Sequence, residues 1–229
     1  MTAYAELQIT SNYSFLRGAS HPEELMVTAA ALGLRAVAIT DRNSVSGLVR
    51  AHLAAKRAGV RLIIGCRLEI SDGPDLLCYP TDRAAYGRLT RLLTTGKRRA
   101  PKGECHLSMA DILEFSSDGQ VVAMVPPETP DTAFIEALHK LVCKFNSDSY
   151  LAVSIPYLGD DRERLSALSV IAATAGARLL ATNDVHAHTP ARRPLQDVLS
   201  CIREGCTLDQ AGHRLFANAE RHLKPPEEM

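Results

Sequence analysis

The chain has 229 residues, 46% of them hydrophobic and 23% charged, which suffices for one large domain with a substantial core or for one barrel with an appendage. Lys plus Arg and Asp plus Glu both number 26, so net charge gives no sign of a nucleic-acid or membrane partner, and only local clusters can carry such a reading. The six cysteines include no Cys-x-x-Cys pair, no apolar run approaches membrane-spanning length, and no basic segment followed by an apolar one opens the chain. A zinc ribbon, a disulfide framework, a membrane span and a secretory leader are therefore not expected, and the expected location is the cytoplasm.

In chain order, Tyr4 to Ile9 reads as a first strand that runs into the polar stretch Gln8-Ile9-Thr10-Ser11-Asn12. Ser20-His21-Pro22-Glu23-Glu24 opens a helix: a cap residue, a proline suited to the first turn, and two acids where the helix dipole favours them. Gly33 ends it. Ala36 to Ile39 is a second buried strand, followed by Thr40-Asp41-Arg42-Asn43. A helix from about Ser44 to Arg57 closes at Gly59, and Val60 to Ile64 is a third strand leading to Gly65-Cys66-Arg67. Leu76 to Tyr79 reads as a short added strand and Asp82 to Leu93 as a helix. A basic, glycine-punctuated loop, Gly96 to Gly103, comes next. Ser108 with Asp111 forms an acidic capping box, Val121 to Val125 is a strand stopped by Pro126-Pro127, and Thr132 to Lys144 is a helix. Tyr150 to Ser154 is a strand, Asp160 to Ala175 a helix, and Leu179 to Ala181 a further strand whose apolar run suits burial on both faces.

Strand and helix thus alternate at spacings of roughly 25 to 30 residues, the pattern of parallel β/α units. An open doubly wound sheet and a closed barrel both fit. Polar residues recur at strand ends (Thr10, Asp41, Arg67, Ser154, Asp184), which favours a barrel with one shared mouth. After Pro194 the alternation stops, and the tail reads as a connector with one or two short helices.

The chemistry concentrates after the last strand, in Asn183-Asp184-Val185-His186-Ala187-His188. A carboxylate and two imidazoles form a ligand set for a transition metal and also suit acid–base work, or else make a hydrogen-bonded strand-end cluster. Asp41 is a second candidate ligand and equally a helix cap. His21 reads first as a helix-start residue, and His106 beside Cys105 as part of an exposed loop pair. Lys97, Arg98, Arg99 and Lys102 form a basic cluster that can hold phosphates or remain solvated.

Several segments in order, Ser-Phe-Leu-Arg-Gly-Ala-Ser-His-Pro-Glu-Glu-Leu, Ala-Ile-Thr-Asp-Arg-Asn-Ser, Tyr-Pro-Thr-Asp-Arg-Ala-Ala-Tyr-Gly-Arg-Leu and Ala-Thr-Asn-Asp-Val-His, resemble a PHP domain. More narrowly they are similar to the amino-terminal PHP domain of bacterial error-prone DNA polymerases, C-family relatives of the replicative polymerase III alpha subunit. The resemblance implies a PHP-type distorted (β/α)7 TIM-like barrel over residues 1–190 and a helical connector over 191–229 leading to a polymerase core. It further implies up to three metals in complete members, serving phosphoesterase or 3′–5′ proofreading chemistry.

Matched position by position, Asp41, Asp184 and His186 stand at ligand positions, with His21 and His106 as residual candidates. Gln8 and Thr10 replace an opening His-x-His, and Arg17, Arg42 and Arg67 stand where complete members carry an aspartate, a histidine and a glutamate. Neutral oxygens ligate weakly, and three arginines oppose divalent cations. The arginines can instead pair with Asp41 and Asp184. The expected site is therefore degenerate and without cofactor, with a reduced Zn²⁺ or Mn²⁺ site for phosphoesterase or exonuclease work as the alternative. Implied partners are the rest of the polymerase chain and, in the full protein, DNA, a sliding clamp and mutagenesis-complex proteins, with damage-tolerant synthesis as the implied role.

Overall fold

The computed structural model describes residues 3–115 and 119–229, which divide into two compact units. The first takes in the chain up to Ile64, Ser154–Asp161 and Thr182–Met229; the second is Gly65–Val153 with Arg162–Ala181. The protein is mixed α/β.

In the first unit, β1 (Ala5–Ile9), β2 (Ala36–Ile39) and β3 (Arg61–Ile64) form a parallel sheet in the order β1-β2-β3. α1 (Pro22–Ala31) and α2 (Leu48–Ala58) are the crossovers that parallel pairing requires. α1 begins as its sequence dictates. The His21 amide donates to Glu24 Oε2 at 2.8 Å, the reciprocal half of a capping box, with Pro22 in the first turn. Gly59 ends α2 with φ 74°, a conformation in which any side chain is strained. Ile9, Leu25, Met26, Val37, Ala38 and Ala51 fill the core of this unit.

The second unit holds a five-stranded sheet, β4 (Cys66–Leu68), β5 (Leu76–Pro80), β6 (Gln120–Met124), β7 (Ser149–Val153) and β8 (Arg178–Ala181), in sequence order. It is not all parallel. β5 runs antiparallel to both β4 and β6; the turn from Leu68 to Leu76 is too short for the crossover that a parallel β4–β5 pair would need. The parallel character returns at β6-β7-β8, with α5 (Thr132–Phe145) and α6 (Asp161–Ala175) between them. β8 pairs with β7 alone in this sheet, and Leu179 is 42% exposed, so the expectation of a strand buried on both faces is corrected. An apolar run records hydrophobicity; whether a neighbour covers it is decided elsewhere in the chain.

α3 (Arg83–Arg99) also departs from expectation, since it continues for more than a turn past Leu93. Gly96, Lys97, Arg98 and Arg99 are helical, not loop. Gly96 permits this, because a Cβ there would lie 2.7 Å from both Cys105 Sγ and Leu107 Cδ2, and its absence lets the 105–107 segment lie against the helix. The His106 amide donates to the Gly96 carbonyl at 3.1 Å. Arg99 forks onto Asp111 at 2.8 and 2.7 Å, and Asp111 also caps α4 (Met109–Phe115) through Ser108.

The tail belongs to the first unit. α7 (Arg193–Glu204) and α8 (Leu208–Ala211) are followed by an extended stretch. Val185 pairs in parallel with Ile9, and Ala187 with His222, so the ladder that begins at β3 runs through β2, β1 and residues 185–187 to the tail. The His186 amide donates to the Arg221 carbonyl at 2.9 Å, which fixes the height of Arg221 beside Asp184.

Candidate functional site

The candidate residues of the first unit gather where β1 and β2 end and where the chain resumes after β8. Three non-glycine residues here have positive φ: Leu16 (58°), Asn43 (47°) and Asp184 (44°). Such conformations cost on the order of 1 kcal/mol or more each and persist where surrounding contacts enforce them, most often at functional sites. The loop after β1 is held by close backbone approach. A Cβ on Gly18 would sit 2.2 Å from the Ser11 carbonyl oxygen, so only glycine fits. Ala19 N–H bonds to the His186 carbonyl at 2.8 Å, closing the loop on the 184–188 segment.

Asp41, 1% exposed, lies in a hydroxyl-rich nest. Its Oδ1 accepts from the Ser11 amide (2.8 Å) and Ser14 Oγ (2.8 Å), and its Oδ2 from Ser11 Oγ (2.7 Å). Burial pushes its pKa up, and the serine donors oppose that rise. The cap reading is corrected, since Gly47 stands at the N-cap of α2. Ser14 Oγ also accepts from the Arg42 amide at 2.9 Å.

Asp184 is the centre of a second network. Gln8 Nε2 donates to its Oδ1 at 2.8 Å, and Thr182 Oγ1 meets Gln8 Oε1 at 2.9 Å. The amide orientation follows, because a carboxylate accepts only whereas a hydroxyl can donate. Arg221 bonds Asp184 Oδ2 and stacks 4.3 Å from the Phe216 ring centroid. His186 Nε2 lies 3.6 Å from Asp184 Oδ1, its ring meets Phe216 edge-on at 5.0 Å, and its Nδ1 lies 3.1 Å from the Arg17 carbonyl oxygen. Burial lowers the His186 pKa, with Asp184 opposing, so the ring is neutral at pH 7 and Nδ1–H donates to Arg17.

Beneath this pair, Glu6 is buried and accepts from the Gln8 amide (2.8 Å), Tyr4 hydroxyl (2.8 Å) and Asn183 amide (3.0 Å). Burial raises its pKa to about 7, above the pull of those donors. The cavity beside His186 holds about 20 Å³, room for about one water.

Gln8, Thr10, Asp41, Asp184 and His186 are therefore brought onto adjoining segments of one unit. Thr10 is buried and its amide donates to Val185 O at 2.8 Å. The exposed His21 caps α1, with its ring on Asn12 at 2.9 Å. In the second unit, exposed His106 faces Glu104 at 3.3 Å. Arg67 bonds Asp75 at 2.8 Å, in a cleft of about 460 Å³ whose other carboxylates, Asp72 and Asp131, cap α4 and α5. Sequence reasoning missed Arg221, Phe216 and Glu6. Arg221, which bonds Asp184, comes from the tail. Among the described residues, no group of three or more His, Cys, Asp and Glu side chains is placed to hold a metal ion.

Residues 6–126 match the PHP domain, and the chain belongs to that family. Within it the chain is homologous to error-prone DNA polymerases. It is 57% identical over 227 residues to the error-prone DNA polymerase of Caulobacter vibrioides and 49% identical over 232 residues to that of Rhodopseudomonas palustris. In both cases 99% of this chain and 21% of the relative are covered, so the chain spans about a fifth of the length of these relatives. Among solved structures it is similar in fold to a protein assigned as a metal-dependent phosphoesterase from Bifidobacterium adolescentis, at TM-score 0.62 and 16% identity over 81% of this chain and 88% of that one. Endonuclease Q, bound to a duplex with an abasic lesion, follows at TM-score 0.52 and 16% identity, covering 81% of this chain and 49% of that one.

Proposed function

We propose that this domain is the non-catalytic PHP domain of a longer error-prone DNA polymerase, supporting the polymerase core with a strand-end pocket held by ion pairs and hydrogen bonds. The observation that carries the reading is the surroundings of Asp184. Gln8 Nε2 and the Arg221 guanidinium both present N–H donors to its oxygens. A metal in that place needs lone pairs from its neighbours and meets N–H groups instead. The residues do not fit a polynuclear centre. Asp41 is likewise supplied with donors by serines.

The finer parts of the reading go with it: a distorted (β/α)7 barrel over 1–190, a connector over 191–229, and damage-tolerant synthesis by the full protein with DNA, a sliding clamp and mutagenesis-complex proteins. The relationship to error-prone polymerases supports them. Among the described residues no helix is long and apolar enough to cross a membrane, and a cytoplasmic location is in keeping with that.

The test is elemental analysis of protein purified without chelator, followed by nitrophenyl phosphate hydrolysis with added Zn²⁺ or Mn²⁺. Less than one metal per chain and no turnover above background are expected. Two or more ions per chain, lost on Asp184→Asn, would overturn the proposal in favour of a phosphoesterase or 3′–5′ exonuclease built on Asp41, Asp184 and His186.

A further inference from the structure

α7 ends in a Schellman cap. Gly205 adopts φ 63°, ψ 35°; the Cys206 amide donates to the Cys201 carbonyl at 3.0 Å, and the Gly205 amide to the Ile202 carbonyl at 3.4 Å. This pattern brings the side chains of the residues at either end of the motif together, a place usually taken by an apolar contact. Here both positions are cysteines, Cys201 and Cys206. Cys201 is buried and Cys206 is partly exposed, so one sulfur is reachable from solvent and the other waits behind it. The remaining cysteines offer no such arrangement: Cys66 and Cys78 face each other across β4 and β5 but are both buried, and exposed Cys143 lies beside His139 Nδ1 at 3.7 Å.

We infer that Cys201 and Cys206 form a dithiol site that hydrogen peroxide converts to an intramolecular disulfide at the end of α7. Cys206 sulfur attacks one peroxide oxygen, the O–O bond breaks, and water leaves with the thiol proton, giving a sulfenic acid. Cys201 sulfur then attacks the sulfenic sulfur. The S–O bond breaks, and a second water leaves with the second proton. Two thiols and one peroxide become one disulfide and two waters; the sulfurs lose two electrons and the peroxide oxygens gain them. Burial keeps Cys201 from meeting the peroxide first and leaves it the resolving role, against the partly exposed Cys206. The bridge would span Arg203, whose Nη1 bonds the Leu16 carbonyl at 3.0 Å, on the helix whose Gln196 bonds the Arg17 carbonyl at 2.7 Å. This inference is independent of the proposed function.

The whole 229-residue chain is treated with hydrogen peroxide, its remaining thiols are alkylated, and it is digested with trypsin without reduction. Trypsin cuts after Arg203, between the two cysteines, so the disulfide joins the peptides ending at Arg203 and Arg214. That linked pair is expected to appear with loss of alkylation at both cysteines and to collapse on reduction, while Cys143 is oxidised or alkylated without linkage. Recovery of Cys206 as an unlinked alkylated or over-oxidised peptide, at doses that oxidise Cys143, would overturn the inference; so would linkage only between chains. Cys201→Ser should leave Cys206 as a sulfenic acid trapped by dimedone, and absence of the adduct in the folded variant counts against it. The wild-type map stands alone if that variant does not fold.

Discussion

Replacing Arg221 by alanine removes the guanidinium from Asp184 Oδ2 and from the face of Phe216. Breaking a fully buried ion pair costs about 3 to 5 kcal/mol, and an exposed pair is worth about 0 to 1. This one lies between, with the Asp184 side chain 14% and that of Arg221 33% exposed. Asp184 also keeps Gln8 Nε2 at 2.8 Å, so its charge is not stranded. We expect a loss of about 2 kcal/mol, to which the cation–π contact contributes roughly 0.5 to 1. For a chain of this size that lowers Tm by about 4 to 8 °C. Urea denaturation of wild type, Arg221→Ala, Asp184→Asn and the double variant supplies the coupling between the two sites, expected to be at least about 1 kcal/mol. Arg221→Lys should fall between wild type and alanine, because it keeps the charge and loses the planar stack. A single-variant effect inside about 0.5 kcal/mol, or additive behaviour of the double variant, would show that the tail does not hold Asp184.

Glu6 keeps a proton in the folded chain between its ordinary 4.5 and about 7 that the unfolded chain releases. Its contribution is therefore complete below 4.5 and lost as pH rises through 7, about 3 kcal/mol at most; denaturation of wild type and Glu6→Gln across this window should favour the glutamine increasingly, and a constant difference refutes it. Buried His186 acts oppositely, since its lowered pKa makes its contribution present above 6.5 and lost as pH falls. Gly87→Ala, with nothing within 4 Å of the new Cβ inside α3, should stabilise by about 0.5 to 1 kcal/mol, whereas Gly96→Ala, which meets Cys105 and Leu107, should destabilise, both read by thermal melts. Because Arg99 is bonded to Asp111, replacing Lys97, Arg98 and Lys102 should flatten the salt dependence of any DNA binding, expected near ~10⁻⁴ to 10⁻⁶ M, without changing sequence preference; an unchanged slope in a salt titration removes this cluster as the contact.

What was legible in the sequence was what local chemistry decides. The start of α1 is written in His21-Pro22-Glu23-Glu24, β2 in its four apolar residues, and the cap of α4 in Ser108 and Asp111. Each depends on neighbours within a few positions. What was illegible depends on distant partners. Gly96 looks like a helix breaker until Cys105 and Leu107 are seen to need its missing Cβ. β5 gives no sign in Leu76 to Pro80 that it will run antiparallel to both neighbours.

The site divides in the same way. Asp184, His186 and Gln8 were found because ligand-type residues at strand ends stand out, and the structure joins them in one network. Arg17, Arg42 and Arg67 stood out for the same reason, as cations where ligands belong. Arg221, which also bonds Asp184, lies in a segment that reads as connector, and no spacing near residue 221 signals it. Its place is set by parallel pairing of residues 186–187 with 221–223, across about 35 positions of chain. A tail joined to the last rung of the ladder and bonded to the site carboxylate is part of the fold. Removing residues beyond Pro190 would thus take away the Asp184 counter-charge, the Phe216 ring against His186 and the Gln196 bond to the Arg17 carbonyl together. The pocket and the tail belong to one compact unit, and Asp184 is held by a segment that reads in sequence as leading away from it.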